Sequence, residues 1–379
     1  MHVVDSLEYG GLERVVTDLA IGQARAGESV SVFSILDTEG HRHTLEASGV
    51  RVIQGGKRKT ADLRVLRAIR SAACGSGGID VVHAHNYVPG YYAGLRRTPA
   101  LVASCHDMGS RLEDLKLRML FKWALGRTAV VSMVSHQVYQ RLVEGGTVDS
   151  ARARIIMNGI PTERFGGEVD GRRAGRATLS LPTDSLVIGA VGRLVPLKSH
   201  RMLIEAMPGL LRFFPNTYLV IVGDGPLSGA LRVHAEKLGV SSHVHLTGVR
   251  DDVPMLLQGF DIFALPSETE GLSIALLEAA ASGLPIVASD TGGNKEIVAD
   301  DVTGLLVPVG DQDALQRALH TLAGDRSMRQ RLGRAAREWA LRNASIASTS
   351  ASYGALYEAA LAANGAGFRR HAGWGVRER

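Results

Sequence analysis

Residues 261–290 read DIFALPSETEGLSIALLEAAASGLPIVASD and carry the signals of a strand, a loop, a helix and a second strand. The first apolar stretch ends at Ser267 and is followed by a glycine-containing turn. We predict a helix from near Ser273 to Gly283, because glycine is a common helix terminator and Pro285 lies just beyond. Strands joined by a helix in this way run parallel in one sheet.

The same alternation of short strands and amphipathic helices covers nearly the whole chain, which predicts an α/β fold with helices on both faces of parallel sheets. From Gly166 the stretch GGEVDGRRAGRAT has no hydrophobic period, so we predict a linker at residues 166–177. Two doubly wound domains, at residues 1–165 and 178–350, are therefore expected. Ligands of such domains bind at the carboxyl ends of the strands, here in a cleft between the two.

Composition agrees with a two-domain globular protein: the chain has 379 residues, of which 45% are apolar and 21% charged. Cys74 and Cys105 lie far apart, which predicts reduced, buried thiols of a cytoplasmic protein. The first residues, MHVVDSLEYGG, include acids where a signal peptide is apolar. No stretch approaches the roughly 20 apolar residues of a membrane span.

The net charge of +5 lies entirely in the first half of the chain. Residues 1–165 contain 21 Lys and Arg against 16 Asp and Glu, whereas residues 166–379 contain 22 of each sign. An excess of this kind indicates either an ordinary solvated surface or an anionic partner for the first domain.

Two acids, Glu270 and Glu278, lie eight positions apart within residues 261–290. The exposed N–H groups of the helix start lie between them and suit an anion. One interpretation is that Glu270 caps the helix and Glu278 lies on a wet face. The other is that the two carboxylates hold the two ends of a polar ligand.

Five segments in a fixed order resemble the motifs of glycosyltransferase family 4, the retaining GT-B glycosyltransferases. EGLSIALLE resembles the E-x7-E signature of that family, and YGGLERVV its N-terminal Gly-Gly loop. ASCHD resembles its first His-Asp strand end, NGIPTERF its Asn-Gly segment, and VGRLVPLKSH, with IVGDGPL after it, its Gly-Arg-Leu…Lys segment. The resemblance implies a GT-B fold, with two Rossmann-like domains and a C-terminal helix, at about 351–365, that packs back on the first domain.

The resemblance also implies roles for individual residues. Arg193 and Lys198 follow a buried strand and are expected to bind the diphosphate of a nucleotide-sugar and to stabilise it as it leaves. Glu270 is expected to hold hydroxyls of the donor sugar, and Glu278 the ribose. The further residues expected to bind the donor are Gly10, Gly11, Gly192, Val249, Arg250, Gly271, Leu272 and Ser273.

His106 ends a strand, and the resemblance implies that it lies near the transferred sugar. His85 and Asn86, in VVHAHN, are candidates for contact with the acceptor. We expect no metal or other cofactor, because the one D-x-D pattern, at Asp311, begins a helical stretch and predicts an N-cap instead.

The expected activity is transfer of a sugar, with retention, from a UDP- or GDP-sugar to a hydroxyl of a glycan or lipid-linked acceptor in surface-glycan assembly. A hydrolase or epimerase on the same fold, and a non-catalytic nucleotide-sugar-binding subunit, are the alternatives. Nucleic acid is not an expected partner. Basic residues beside apolar ones in the first domain suggest docking on an anionic membrane from the cytoplasmic side, or simply a solvated helix face. This set comprises Lys57, Arg58, Lys59, Arg64, Arg67, Arg70, Lys116, Arg118, Lys122, Leu120, Phe121 and Trp123.

Overall fold

The computed structural model describes residues 1–59, 62–75, 78–94, 99–106, 114–166 and 170–363. The strands are β1 His2–Val4, β2 Ser31–Ser34, β3 Arg51–Gln54, β4 Val81–His85, β5 Ala100–Cys105, β6 Val130–Met133, β7 Ala153–Ile155, β8 Leu186–Val191, β9 Thr217–Val222, β10 Val244–Leu246, β11 Ile262–Leu265, β12 Ile286–Ser289 and β13 Gly304–Val307. The helices are α1 Gly11–Arg25, α2 Arg42–Ala47, α3 Leu63–Cys74, α4 Tyr87–Gly94, α5 Leu115–Leu125, α6 His136–Tyr139, α7 Gly171–Thr178, α8 His200–Leu211, α9 Ser228–Lys237, α10 Val253–Gln258, α11 Ile274–Ala281, α12 Asn294–Ile297, α13 Gln312–Gly324, α14 Arg326–Asn343 and α15 Ile346–Ala363.

The chain forms two compact units. Unit 1 contains Met1–Gly159 together with the C-terminal segment that begins at Ile346, and unit 2 contains Ile160–Ser345. The boundary therefore lies a few residues before the position expected from the sequence. The chain crosses it twice, and Ile160 forms a parallel bridge with Ser345 where the two crossings meet in unit 2.

Unit 1 is built on a parallel sheet of order β3-β2-β1-β4-β5-β6-β7. Val3, Phe33 and Val82 pack with α3 on one face, and the other face is covered by α1 and α15. Helix α15 contributes Tyr353 and Leu356 to a cluster with Val102 and Val130. Helix α15, which follows the whole of unit 2 in the sequence, thus completes the core of the first unit.

Unit 2 has a parallel sheet of order β10-β9-β8-β11-β12-β13. Its core gathers residues of β8, β9, β11 and β12 with one face each of α8 and α13. Their near-continuous apolar sequences reflect burial on both faces, as is usual for parallel strands.

The predicted linker is wrong for most of its length, because helix α7 occupies Gly171–Thr178 and packs on α10. A β-carbon at Gly175 would come within 2.5 Å of the carbonyl oxygen of Met255, so glycine here permits close helix packing rather than flexibility. Arg176 is fully buried and pairs with Asp261 at 2.5 Å. Its guanidinium also donates to the carbonyl oxygens of Gly259, Thr183 and Ser185. The Gly- and Arg-rich composition therefore belongs to a packed element.

The two cysteines differ in environment. Cys105 is buried, and burial raises the pKa of its thiol to about 12. Cys74, at the end of α3, is exposed, so the prediction of two buried thiols is wrong for this residue. Among the residues that the structure describes, no helix has both the length and the hydropathy needed to cross a membrane.

Candidate nucleotide-sugar site

The order of the strands in unit 2 reverses between β8 and β11. From β8 the chain moves outward through β9 to β10 and then returns to β11 on the other side. The loops that follow β8 and β11 therefore leave the same edge of the sheet in opposite directions. In open parallel sheets this is where ligands bind.

Lys198 and Glu270 meet at this switch point. Nζ of Lys198 donates to Oε1 of Glu270 at 2.5 Å, and the hydroxyl of Ser267 donates to the same oxygen at 2.7 Å. Glu270 is 9% exposed. The buried carboxylate is thus neutralised by one cation and oriented by one hydroxyl, as a group poised to accept hydrogen bonds from a ligand requires.

The loops around this pair hold each other in place. The N–H of Glu268 donates to the carbonyl oxygen of Leu197 at 2.8 Å, which ties the loop after β11 to the loop after β8. The N–H of Gly293, from the loop after β12, donates to the carbonyl oxygen of Glu270 at 3.2 Å. Arg193 lies exposed on the loop after β8, five residues before Lys198.

Helix α11 begins as the sequence predicts, with Ser273 at its N-cap and Gly283, at φ +75°, just after its end. Gly271, Leu272 and Ser273, the last residues before this helix, are buried. Glu278 lies one turn inside the helix and is half-buried. Glu270 and Glu278 therefore belong to the same loop–helix segment, one before the first turn of α11 and one just after it.

The neighbouring strand ends add close backbone packing. Gly223, after β9, has φ +135°, and a β-carbon there would approach the carbonyl oxygen of Gly192 to 2.1 Å. The segment after β10 is held beside it, since the N–H of Gly223 donates to the carbonyl oxygen of Gly248 at 2.9 Å. Val249 is exposed, whereas the guanidinium of Arg250 is paired with Asp252 at 2.6 Å. Of the two residues predicted here to bind the donor, Val249 is therefore the more exposed.

Unit 1 has its own switch point, between β1 and β4. Gly10 is the N-cap of α1 and Gly11 its first residue, so the Gly-Gly loop lies directly after β1. Asn86 follows β4 with φ +65°, and its side-chain oxygen accepts from the N–H of His106 at 2.9 Å. This bond ties the end of β4 to the end of β5.

His85 and His106 are both buried and are joined through Nδ1 of His85 and Nε2 of His106 at 3.2 Å. Burial lowers the pKa of His106 to about 3, and burial is also the largest cause that lowers the pKa of His85. Both rings are therefore neutral near pH 7. Asp107, the acid of the predicted His-Asp strand end, lies outside the described residues.

The prediction for Asp311 is confirmed. Its carboxylate accepts from the N–H of Ala314 at 2.8 Å as the N-cap of α13. The carboxylate is therefore engaged at the first turn of that helix.

Several residues of these networks were missed in the sequence. Ser267 orients Glu270, and Gln23, His2 and Tyr357 join the histidines of unit 1. His200, at the start of α8, is buried, and neither ring nitrogen has a hydrogen-bond partner among the described residues. The position of His2 in a buried strand could have indicated this network, because a buried polar side chain needs a hydrogen-bond partner.

Comparison with known proteins places the chain among glycosyltransferases. Residues 9–164 match the model described as Glycosyltransferase Family 4, and residues 172–339 match Glycosyl transferases group 1. A relative from Mycolicibacterium smegmatis, named GDP-mannose-dependent alpha-(1-6)-phosphatidylinositol monomannoside mannosyltransferase, is 37% identical over 261 residues, which cover 66% of this chain and 67% of the relative. The chain belongs to glycosyltransferase family 4.

A second relative of this family 4 chain comes from Escherichia coli and is named UDP-Gal:alpha-D-GlcNAc-diphosphoundecaprenol alpha-1,3-galactosyltransferase. It is 29% identical over 259 residues, covering 65% of this chain and 67% of the relative. The crystal structure of Anabaena HepE with UDP and glucose has a TM-score of 0.83 at 21% identity, covering 94% of this chain and 98% of HepE. The predicted GT-B fold is confirmed for this family 4 chain.

Proposed function

We propose that this protein is a retaining glycosyltransferase that moves a sugar from a UDP- or GDP-sugar to a hydroxyl of a lipid-linked acceptor in the assembly of a bacterial surface glycan. The observation that carries the proposal is the group of Lys198, Glu270 and Ser267 at the switch point of unit 2. The relatives support a nucleotide-sugar donor, since one is named for GDP-mannose and another for UDP-Gal.

Lys198 and Glu270 bind different parts of the donor. Without ligand, the ammonium of Lys198 neutralises the buried carboxylate of Glu270. A bound diphosphate offers that ammonium a second anionic partner, while Glu270 accepts hydrogen bonds from the hydroxyls of the sugar. The same two residues thus stabilise one another in the free protein and engage opposite parts of the ligand in the complex.

In the reaction, the bond between the anomeric carbon and the diphosphate oxygen breaks, and a bond to the acceptor oxygen forms on the same face of the sugar. The acceptor's proton passes to the leaving phosphate oxygen, so no carboxylate of the protein has to act as a base. Lys198, Arg193 and the first N–H groups of α11 offset the negative charge that grows on the diphosphate.

The same cationic groups supply the stabilisation that many transferases obtain from a divalent ion held by D-x-D. In this chain the D-x-D carboxylate at Asp311 is committed to a helix cap. The proposed reaction therefore requires no metal, and transfer is expected to persist in EDTA.

A lipid-linked acceptor is favoured by two observations. Both relatives above are named for lipid-linked acceptors. In unit 1, helix α5 exposes Leu115 (58%), Met119 (64%) and Trp123 (41%), interleaved with exposed basic side chains at Lys116, Arg118 and Lys122. An exposed helix with apolar and basic residues suits an anionic bilayer surface on the cytoplasmic side.

One of the residues predicted for this surface lies in the core instead. Phe121 is fully buried against α4, so it belongs to the core and not to the docking face. Lys57 also differs from its neighbours, since its ammonium lies 5.5 Å from the centre of the Tyr92 ring. Arg58, Arg67 and Arg70 are exposed.

The proposal is tested with Lys198→Ala and the matched control Lys237→Ala, an exposed lysine at the end of α9. Candidate UDP- and GDP-sugars are first screened for thermal stabilisation of the wild-type protein. Transfer is then measured with and without EDTA. We expect near-complete loss of transfer in Lys198→Ala and wild-type rates in Lys237→Ala. Loss of activity in EDTA that Mn²⁺ restores would refute the metal-free mechanism.

Product analysis separates the alternatives. A hydrolase or epimerase releases free or isomerised sugar without an acceptor, and a binding subunit binds the donor and forms no product. Retention is established from the anomeric configuration of the product.

Docking is tested by sedimentation with anionic and neutral vesicles. We expect salt-sensitive binding to anionic vesicles that is weakened in a Lys116→Glu/Lys122→Glu variant. The control is Arg232→Glu, an exposed site on α9 of unit 2. Equal binding to both vesicle types would reject the docking surface.

A further inference from the structure

Four histidines of unit 1 lie together in the core, in or directly after three neighbouring strands. His2 belongs to β1, His83 and His85 belong to β4, and His106 follows β5. Their exposed fractions are 3%, 1%, 1% and 7%. Burial lowers the pKa of His2, as of His106, to about 3, so at neutral pH each ring has one N–H and one lone pair.

Three of these rings form a continuous chain that begins at Gln23 on α1. Oε1 of Gln23 lies 2.8 Å from Nε2 of His2, and Nδ1 of His2 lies 3.0 Å from Nε2 of His85. Nδ1 of His85 then lies 3.2 Å from Nε2 of His106. Each link joins one nitrogen of a ring to the next ring, so the protonation of one ring decides that of its neighbour.

The direction of the chain follows from its first member. An amide oxygen can only accept, so the proton of His2 is on Nε2 and its Nδ1 accepts. His85 must then donate through Nε2 and accept through Nδ1. His106 consequently donates through Nε2, and its own Nδ1 carries the lone pair.

A second branch is consistent with this orientation of the Gln23 amide. Its nitrogen donates to the hydroxyl of Tyr357 on α15 at 3.3 Å. That hydroxyl lies 2.8 Å from Nδ1 of His83, whose Nε2 lies 2.6 Å from the hydroxyl of Ser104. With the amide nitrogen towards Tyr357 and the oxygen towards His2, every contact in both branches has one donor and one acceptor.

We propose that Gln23, His2 and His85 are positioning residues that hold His106 as the Nε2–H tautomer, leaving its Nδ1 to accept a hydrogen bond from a hydroxyl of the bound sugar. The sugar contact rests on the proposed function, whereas the tautomer rests on the hydrogen bonds within unit 1. His106 thereby acts as a neutral acceptor and not as an acid.

Three of the rings, His2, His83 and His85, have ligand atoms within 4.8 Å of one another, a spacing that also suits a metal ion. Each of those rings already has hydrogen-bond partners at both nitrogens. These contacts favour the hydrogen-bonded chain of rings over a metal centre. The test therefore also examines metal binding.

The test combines NMR with kinetics on the full chain. Long-range ¹H–¹⁵N correlation of histidine-labelled protein reads the tautomer of each ring. We expect His106 as Nε2–H in the wild type and a mixture of tautomers in Gln23→Met, which keeps the side-chain volume and removes the amide. The matched control is Thr17→Val on the same helix, a buried hydroxyl with no partner among the described residues.

In kinetics we expect Gln23→Met to lower kcat/KM for the donor sugar by about tenfold, the effect of one misdirected hydrogen bond. Its affinity for the free nucleoside diphosphate should be unchanged, and Thr17→Val should match the wild type in both measurements. Should Gln23→Met lose its thermal transition, Gln23→Glu, which keeps an oxygen towards His2, replaces it and is expected to preserve the tautomer.

An Nδ1–H tautomer of His106 in the wild type, or unchanged kinetics in a Gln23→Met protein with mixed tautomers, would overturn the proposal. Shifts of the ring nitrogens of His2, His83 and His85 on addition of stoichiometric Zn²⁺ would overturn it in favour of a metal site. If no donor supports transfer, the proposed function fails, whereas the NMR measurement still determines the tautomer of His106.

Discussion

Acidification to pH 5.0 should destabilise unit 1 through its buried histidines. The perturbation is a change from pH 7.5 to pH 5.0. His2 and His106 have folded-state pKa values of about 3 because they are buried, whereas a histidine in an unfolded chain titrates near 6.5. Between these values the unfolded state binds more protons, so stability rises with pH and is lost as the pH falls below about 6.5.

The magnitude follows from the two pKa values. At pH 5.0 each of these histidines costs about 2 kcal/mol of folding free energy, since one pKa unit corresponds to about 1.4 kcal/mol. His2 and His106 together cost about 4 kcal/mol, and the pKa values of His83 and His85 are lowered in the same direction. Because a domain is stable by about 5–15 kcal/mol, this loss is a large part of the total.

The assay is urea unfolding from pH 7.5 to pH 5.0, with hydrogen exchange of β4 and β5 as a probe specific to unit 1. In His2→Gln, the slope of the unfolding free energy against pH near pH 6 should fall by the amount that corresponds to about one bound proton. His43→Gln is the control, because His43 is exposed and remains in water when the chain folds. A change below about 1 kcal/mol in the wild type over this pH range would show that water reaches the native rings, and would refute the reasoning.

Three substitutions in unit 2 give further predictions. Glu278→Ala should weaken binding of the free nucleoside diphosphate in calorimetry by about 1.5–3 kcal/mol through loss of a charge-assisted bond, with Glu236→Ala as an exposed control; unchanged affinity would remove Glu278 from the site. Asp311→Ala should cost about 1 kcal/mol in urea unfolding through loss of the cap and leave transfer intact, so an inactive folded variant would contradict the metal-free assignment. Arg176→Ala should cost about 3–5 kcal/mol because it leaves Asp261 buried without its fully buried partner, whereas the exposed Arg172→Ala should cost under about 1 kcal/mol; similar losses for both would contradict that explanation.

The alternating strands and helices were predictable because each apolar stretch matched the period of its element. Helix α13 is an example, since its buried residues Leu315, Ala318, Leu319 and Leu322 recur at helical spacing. Helix α14 gave no such signal, because its buried stripe is narrow and consists mainly of small residues, at Leu332, Gly333, Ala336 and Ala340. An apolar period cannot be read where the contact depends on small side chains.

In the candidate site, too, some features were predictable from the sequence and others were not. Lys198 and Glu270 were predictable as members of one site at a sheet edge, because each follows a buried strand and parallel strands bring such loops together, whereas their ion pair was not predicted. The hydrogen-bonded chain from Gln23 to His106 was not predictable, since its members are spread from His2 to His106 in the sequence and each bond depends on the rotation of a ring. Tyr357 lies 334 residues from Gln23, and only the return of α15 to unit 1 brings the two together.

The return of α15 to unit 1 also affects the order in which the two units can fold during synthesis. Residues 160–345, which form the whole of unit 2, leave the ribosome before α15 does. At about 5–20 residues per second, unit 1 waits on the order of ten to forty seconds with Val102 and Val130 uncovered, while unit 2 is already a contiguous folding segment. We therefore expect the N-terminal unit of this chain to complete its core last, and to expose apolar surface for longer than unit 2 during synthesis.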